Sequence, residues 1–80
     1  MHKSIAPTAH RLNPRKLLLS KWTAAQPQNK EKHFLVTELL LDDEEQHVVG
    51  VALQAVMTGN VQQLPWQALQ DAQRWLMGWK

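Results

Sequence analysis

Apolar and polar positions alternate with a period of two through the middle of this chain, the spacing of strands that bury one face. The stretch LLLSKWTAA after Lys16 is apolar and short, and QPQNKEK follows it. A first strand ending in a turn punctuated by Pro27 and Asn29 is expected there. In HFLVTELLL, Phe34, Val36 and Leu40 fall on one strand face and Leu35, Leu39 and Leu41 on the other. Both faces therefore look partly covered. The acidic run DDEEQ interrupts the pattern. HVVGVALQAVM then places His47, Val49, Val51, Leu53, Ala55 and Met57 on one face. Val48, Val51, Ala52, Ala55 and Val56 also recur at helical spacing, but the β-branched cluster and the interior Gly50 favour a strand, with Gly50 suited to a bulge or bend. Thr58, Gly59 and Asn60 signal a turn, and VQQL, ending at Leu64, is short enough for an edge or closing strand.

The pattern changes after Pro65. Trp66, Leu69, Ala72, Trp75 or Leu76, and Trp79 recur at steps of three and four. This spacing predicts a helical segment over 65–79, continuous or broken at Asp71, with Gly78 as its stop. The first residues, by contrast, lack any apolar period, so residues 1–13 are expected to form a loose arm and 14–80 a single small domain. The fold class predicted is mainly β with a C-terminal helical segment. The strands would form a small antiparallel sheet, or a barrel of SH3-like or Sm-like type, with about four strands. Its expected core is Phe34, Val36, Val49, Val51, Leu53, Leu64, Trp66, Leu69 and Trp75.

Composition sharpens this picture. A chain of 80 residues buries only about 60% of the surface its unfolded form exposes, so large side chains must fill the core. Four tryptophans, one phenylalanine and no tyrosine are present, which leaves indole as the main filler. The absence of cysteine excludes disulfides, thiolate metal sites and a cysteine nucleophile, and points to a reducing compartment. The N-terminal MHKSIAPTAHRLNPRK has charges and prolines where a signal peptide needs an apolar run, and no stretch is long enough to span a membrane. A cytoplasmic location is the expectation.

Charge is small in sum but unevenly placed. Residues 1–33 carry +6 and residues 34–80 carry −4, within a total of +2. Such polarity can provide a footprint for an anionic partner, although a modest cluster of cations is also an ordinary solvated face.

Two tryptophan-containing blocks, KLLLSKWTAAQPQNKEKHF continuing LVT at 16–37 and LPWQALQDAQRWLMGW at 64–79, resemble the small Trp-rich bacterial proteins grouped as DUF2389, a family of unknown function. The resemblance spans residues 13–80 and leaves the N-terminal arm outside it. It implies one domain and assigns no activity, ligand or catalytic residue.

The chemistry-bearing residues narrow the classes of function. Ser20 or Thr23 beside His33 or His47 would supply a nucleophile and a base, but no local signature joins them. No enzyme activity is expected. His2, His10, His33 and His47 are scattered, and Asp42 to Glu45 lacks the alternating ligands and glycine of a calcium loop, so neither a metal nor a cofactor is expected. Trp66 and Trp75 are assigned to the core. Trp22 and Trp79 are the indoles left for binding, and with Arg15, Lys16, Lys21, Lys30 and Lys32 they form the candidate binding face. Exposed indoles ringed by cations suit a protein partner, as interface anchors, and equally RNA or single-stranded DNA, whose bases stack on indole. A protein-interaction or adaptor module is placed first. An exposed Trp22 would favour nucleic acid, and an apolar patch near Leu18, Met77 and Trp79 a protein interface.

Overall fold

The computed structural model describes residues 9–80. Five strands form one antiparallel sheet: β1 (Lys21–Gln28), β2 (Glu31–Leu41), β3 (Val48–Ala55), β4 (Val61–Pro65) and β5 (Trp75–Met77). Their order is β4-β3-β2-β1-β5. The first four strands meander, and the chain then crosses one face of the sheet to add β5 to the free edge of β1. β4 and β5 are opposite edges, so the sheet stays open and no barrel closes.

The turns follow from local chemistry. Asn29 and Lys30 both have positive φ, 55° and 64°, between Gln28 and Glu31, which pair across the hairpin. That is the two-residue turn whose twist matches the flanking strands, with Lys30 in a conformation glycine would adopt more cheaply. Between β2 and β3, the Asp42 carboxylate accepts from the backbone N–H of Gln46 at 2.9 Å and lies 3.2 Å from His47 Nδ1. These contacts hold its pKa below the ordinary value of 3.8, the Gln46 N–H first among them. Between β3 and β4, Gly59 takes φ 80° and donates to the Ala55 carbonyl. Glu31 ties this turn to the first hairpin by accepting from Thr58 Oγ1 at 2.7 Å and Asn60 Nδ2 at 2.8 Å. Both bonds pull its pKa below the ordinary 4.5, that from Thr58 the more strongly.

One face of the sheet carries the core. Register places Trp22 opposite Phe34, Phe34 opposite Ala55, Val36 opposite Leu53, and Leu39 opposite Val51. Directly opposed residues share a face, so these side chains form one apolar layer. Leu69 from the crossing segment and Leu17 from the N-terminal side cover it, and both are buried. Trp75 stands edge-on to Phe34 with ring centroids 5.2 Å apart. Leu64 and Trp66 are half-buried against this cluster. Six core expectations, Phe34, Val36, Val51, Leu53, Leu69 and Trp75, are buried here.

Val49 departs from expectation, being 49% exposed. The register shifts between Leu40, opposite Gly50, and Leu41, opposite Val48. Val49 is the unpaired residue of this bulge, which breaks the alternation and turns Val48 inward instead.

The C-terminal helix is the larger correction. Residues Trp66–Gln70 form a short 3-10 turn, Ala72 to Arg74 a further turn, and Trp75–Met77 a strand. A 3-10 turn also brings positions i and i+3 together, so Trp66 and Leu69 satisfy the spacing read as helical. Asp71 ends the turn with an extended backbone, its side chain accepting from the Gln73 N–H and its carbonyl from the Arg74 and Trp75 N–H groups. An isolated helix of this length is marginal in water, whereas the unpaired edge of β1 offers a ladder of backbone partners. Gly78 is no helix stop. At φ 82° it swings Trp79 across the face of the sheet opposite the core.

The expected N-terminal arm is also revised within the described residues. Ala9 bridges Asp71, the His10 N–H donates to the Gln70 carbonyl at 2.7 Å, and Leu12 packs on the core. Residues 1–8 of that arm lie outside the described residues. No helix among the described residues is long and apolar enough to cross a membrane.

Two consequences are measurable. A Cβ at position 50 would lie 2.6 Å from the Leu64 carbonyl oxygen, a backbone atom with nowhere to go. Gly50→Ala should cost about 1–3 kcal/mol in chemical denaturation, through displacement of β4. Glu31 and Asp42 have folded pKa values below their unfolded ones, so their contribution is complete above the unfolded values and is lost as pH falls through the folded ones. Melting temperature should therefore decline below about pH 4.5, and less steeply in Glu31→Gln. An unchanged pH profile in that variant would show that the two turns are not linked through Glu31.

Candidate functional site

The residues proposed for one binding face divide among several places. Trp22 is 1% exposed, with its Nε1–H donated to Ser20 Oγ at 2.8 Å and its ring beside His10. It belongs to the core, because position 22 lies on the covered face of β1 opposite Phe34. Lys30 stands in the hairpin turn and Lys32 at the start of β2, about 16 Å and about 10 Å along β2 from Leu35, the partner of Lys21, by ordinary strand rise. Arg15 Nη2 donates to the Gln46 carbonyl at 2.6 Å, which ties it to the acidic turn. Only Lys16 and Lys21 of the predicted cations come together, and they do so around a cleft.

This cleft, about 490 Å³ in volume, lies where the N-terminal segment meets the start of β1 and the end of β5. Arg11, Lys16 and Lys21 contribute its charge; Leu12, Leu17, Leu19 and Met77 contribute its apolar wall; Trp22 also lines it. No acidic side chain among the described residues lines it. The surface is therefore cationic with an apolar lining, a combination that attracts a negative group and desolvates an apolar one beside it.

Local chain geometry explains how these residues meet. Asn13 accepts from the Arg15 N–H and opens the 3-10 turn Pro14–Lys16. Leu17 follows and points into the core. The Leu19 N–H then donates to the Val36 carbonyl at 2.8 Å and the Val36 N–H to the Ser20 carbonyl at 3.0 Å, so residues 19 and 20 are pinned to β2. Leu19 is held at φ 66° with 64% of its surface exposed. A branched side chain in this left-handed region costs on the order of 1–2 kcal/mol. His10 Nε2 lies 2.7 Å from the Trp75 carbonyl and fastens the other wall to β5.

Trp79 occupies the opposite sheet face and is 44% exposed. Its Nε1–H donates to the Phe34 carbonyl at 3.0 Å, the Lys21 ammonium sits 4.8 Å from its ring centroid, and His33 lies 5.9 Å away. Lys21 thus connects Trp79 to the rim of the cleft. Thr23 Oγ1 donates to the Gly78 carbonyl and accepts from the Lys80 N–H, which holds the C-terminal residues in place.

A second depression, about 440 Å³, opens at the far end of β1, lined by Gln26, Gln28, Gln62, Gln73 and Arg74 above Phe34 and Trp75. β1 leaves its register with β2 between Thr23 and Gln28, and this departure makes the space. The Trp75 Nε1–H is buried without a hydrogen-bond acceptor among the described residues.

Sequence reasoning missed Arg11, Leu12 and Leu19 as cleft residues, and named Met77 only as part of an apolar patch with Leu18 and Trp79. One signal was present: three consecutive leucines, Leu17 to Leu19, cannot all face one core from an extended chain. The family comparison bears on the same surface. The profile of the family described as tryptophan-rich protein (DUF2389) matches residues 20–80, which takes in Lys21, Trp22 and Met77 and begins after Arg11, Lys16 and Leu19. No curated protein and no solved structure matches the chain. With three quarters of its length matched by that profile, the chain belongs to the DUF2389 family of tryptophan-rich proteins.

Proposed function

We propose that the protein is a non-catalytic interaction module that captures a partner protein through the cleft between residues 11–21 and Met77, by a segment that places an acidic side chain next to an apolar one. Leu19 carries this reading: the fold holds a leucine in a disfavoured backbone conformation and spends the strain on displaying it at the rim of a cationic cleft. Strain maintained by surrounding hydrogen bonds concentrates at binding surfaces. Leu18 and Met77, also about half exposed, extend the apolar area.

Further observations support binding over the other classes. Ser20 Oγ donates to the Leu17 carbonyl and accepts from Trp22, and Thr23 Oγ1 is committed to the C-terminal residues. Thr23 stands directly opposite His33 across β1 and β2, but the His33 Nε2 lies 3.1 Å from the Lys80 carbonyl while the Thr23 hydroxyl bonds to Gly78 and Lys80, so both hydroxyls serve as structural groups. The burial of Trp22 takes away one of the two indoles expected to stack on single-stranded nucleic acid, and the other, Trp79, lies under the Lys21 ammonium on the sheet face opposite the core.

Titration of a fluorescent peptide carrying adjacent Asp, Glu, Leu and Phe residues tests the proposal. Saturable binding that weakens with salt is expected, with Lys16→Glu/Lys21→Glu lowering affinity about tenfold, or about 1.4 kcal/mol. Binding of an oligothymidylate with the same dependence on Lys16 and Lys21, and none of the peptide, would assign the cleft to nucleic acid. Leu19→Gly separates display from folding. Its melting temperature should be equal or higher because the left-handed strain is relieved, while peptide affinity falls. Lower stability with unchanged affinity would make Leu19 a structural residue and remove the main support for the proposal.

A further inference from the structure

We infer that two copies of the chain join through their β4 strands, antiparallel and across a two-fold axis, to continue the sheet from one molecule into the next. The two edges of the sheet are treated differently. At β5, Gly78 and Arg74 bond inward to β1, so the outward groups are those of Trp75 and Met77. The Trp75 carbonyl is met by His10 and its N–H by the Asp71 carbonyl. That edge is occupied except at Met77.

β4 has no such cover among the described residues. The Ala55 N–H donates to the Asn60 carbonyl, and the register Leu53 opposite Gln62 and Val51 opposite Leu64 continues that pairing. Antiparallel ladders alternate, so Gln62 and Leu64 bond inward while Val61 and Gln63 direct their N–H and C=O groups outward. Edge strands in soluble proteins are usually blunted by a charge, a bulge or a covering segment. Here no charged residue occurs from Thr58 to Gln70, and the β3–β4 register has no shift. Proline appears only at the end of the strand, as Pro65.

The occupant this edge fits is another β4. With the axis through Gln62, each Val61 lies opposite Gln63 of the second copy. Every outward N–H of the two strands then meets a carbonyl. Moving the axis to Gln63 would set Val61 against Pro65, which has no N–H to give, so the first register is preferred. The paired Gln62 amides can donate to each other across the axis, and no like charges meet. A two-fold arrangement of one self-complementary strand closes on itself and leaves no further edge of this kind. The cationic clefts lie beyond β1, at the other side of each sheet, and stay free, so the dimer presents two of them.

Sedimentation equilibrium of the full chain tests this inference and is independent of what the clefts bind. Wild type should sediment with twice the chain mass at high protein concentration. Gln63→Pro removes an N–H that its own sheet does not use and should give a monomer with an unchanged far-ultraviolet circular dichroism spectrum. Val61→Lys/Gln63→Lys brings like charges together across the axis and should likewise be a folded monomer, which keeps the test decisive if the proline variant unfolds. Met77→Lys, on the other edge, should remain dimeric. A monomeric wild type, or a dimer that survives both β4 variants and is lost in Met77→Lys, would overturn the inference.

Discussion

The pairing of Trp75–Met77 with Trp22–Ala24 is the interaction from which the remainder of the structure follows. Reaching that edge forces the chain after β4 to traverse the apolar face, and the traverse lays Leu69 over the core layer. The same pairing sets Trp75 against Phe34 and closes the end of the core beside Trp22. Each large aromatic removed from water buries on the order of 200 Å², worth up to about 5 kcal/mol at about 25 cal/mol per Å². In a chain of 80 residues with no disulfide, indoles placed in this way substitute for the covalent bridges many domains of this size need.

The candidate site is a product of that closure. β5 supplies Met77 and, through the Trp75 carbonyl, an anchor for His10, which in turn positions Arg11 and Leu12. Beyond β5, Gly78 reverses the chain so that Trp79 lies under the Lys21 ammonium. Lys21 therefore stands between two surfaces, the cleft and the indole on the opposite sheet face. Core and candidate site share residues: Trp22 fills the interior and lines the cleft, and Leu17 does the same. Substitutions that disturb closure will alter the cleft without touching its charges.

Much of the meander was legible in the sequence because β-branched alternation and turn residues act locally. The segments around Phe34, Val51 and Val61 become β2, β3 and β4, and the Gly59 turn lies between the last two. What local pattern could not show is tertiary in origin. The spacing of Trp66 and Leu69 suits a 3-10 turn as well as an α-helix, and the partner that draws Trp75 to Met77 into a strand lies some fifty residues earlier in the chain. Val49 was misplaced because the bulge that Gly50 suits falls on Val49 itself, a position set by the register of β3 against β2. Trp22 was misplaced for another reason. Its neighbours Lys21 and Lys16 are basic, but charge adjacent in sequence alternates sides along a strand, so a lysine at 21 says nothing against burial at 22. For the site, Lys16 and Lys21 were visible as candidates, whereas Arg11 and Met77 become neighbours only when the two ends of the chain converge on β1.

Whether the last strand closes the sheet can be measured directly by nuclear Overhauser contacts between backbone α-protons. Because the Gly78 N–H bonds to the Lys21 carbonyl and the Ala25 N–H to the Arg74 carbonyl, Trp22 with Met77 and Ala24 with Trp75 are the non-hydrogen-bonded pairs, in which α-protons approach most closely. The account predicts strong α-proton contacts for both pairs. Sequential helical contacts running unbroken through residues 66–79, with neither cross-strand contact present, would contradict it.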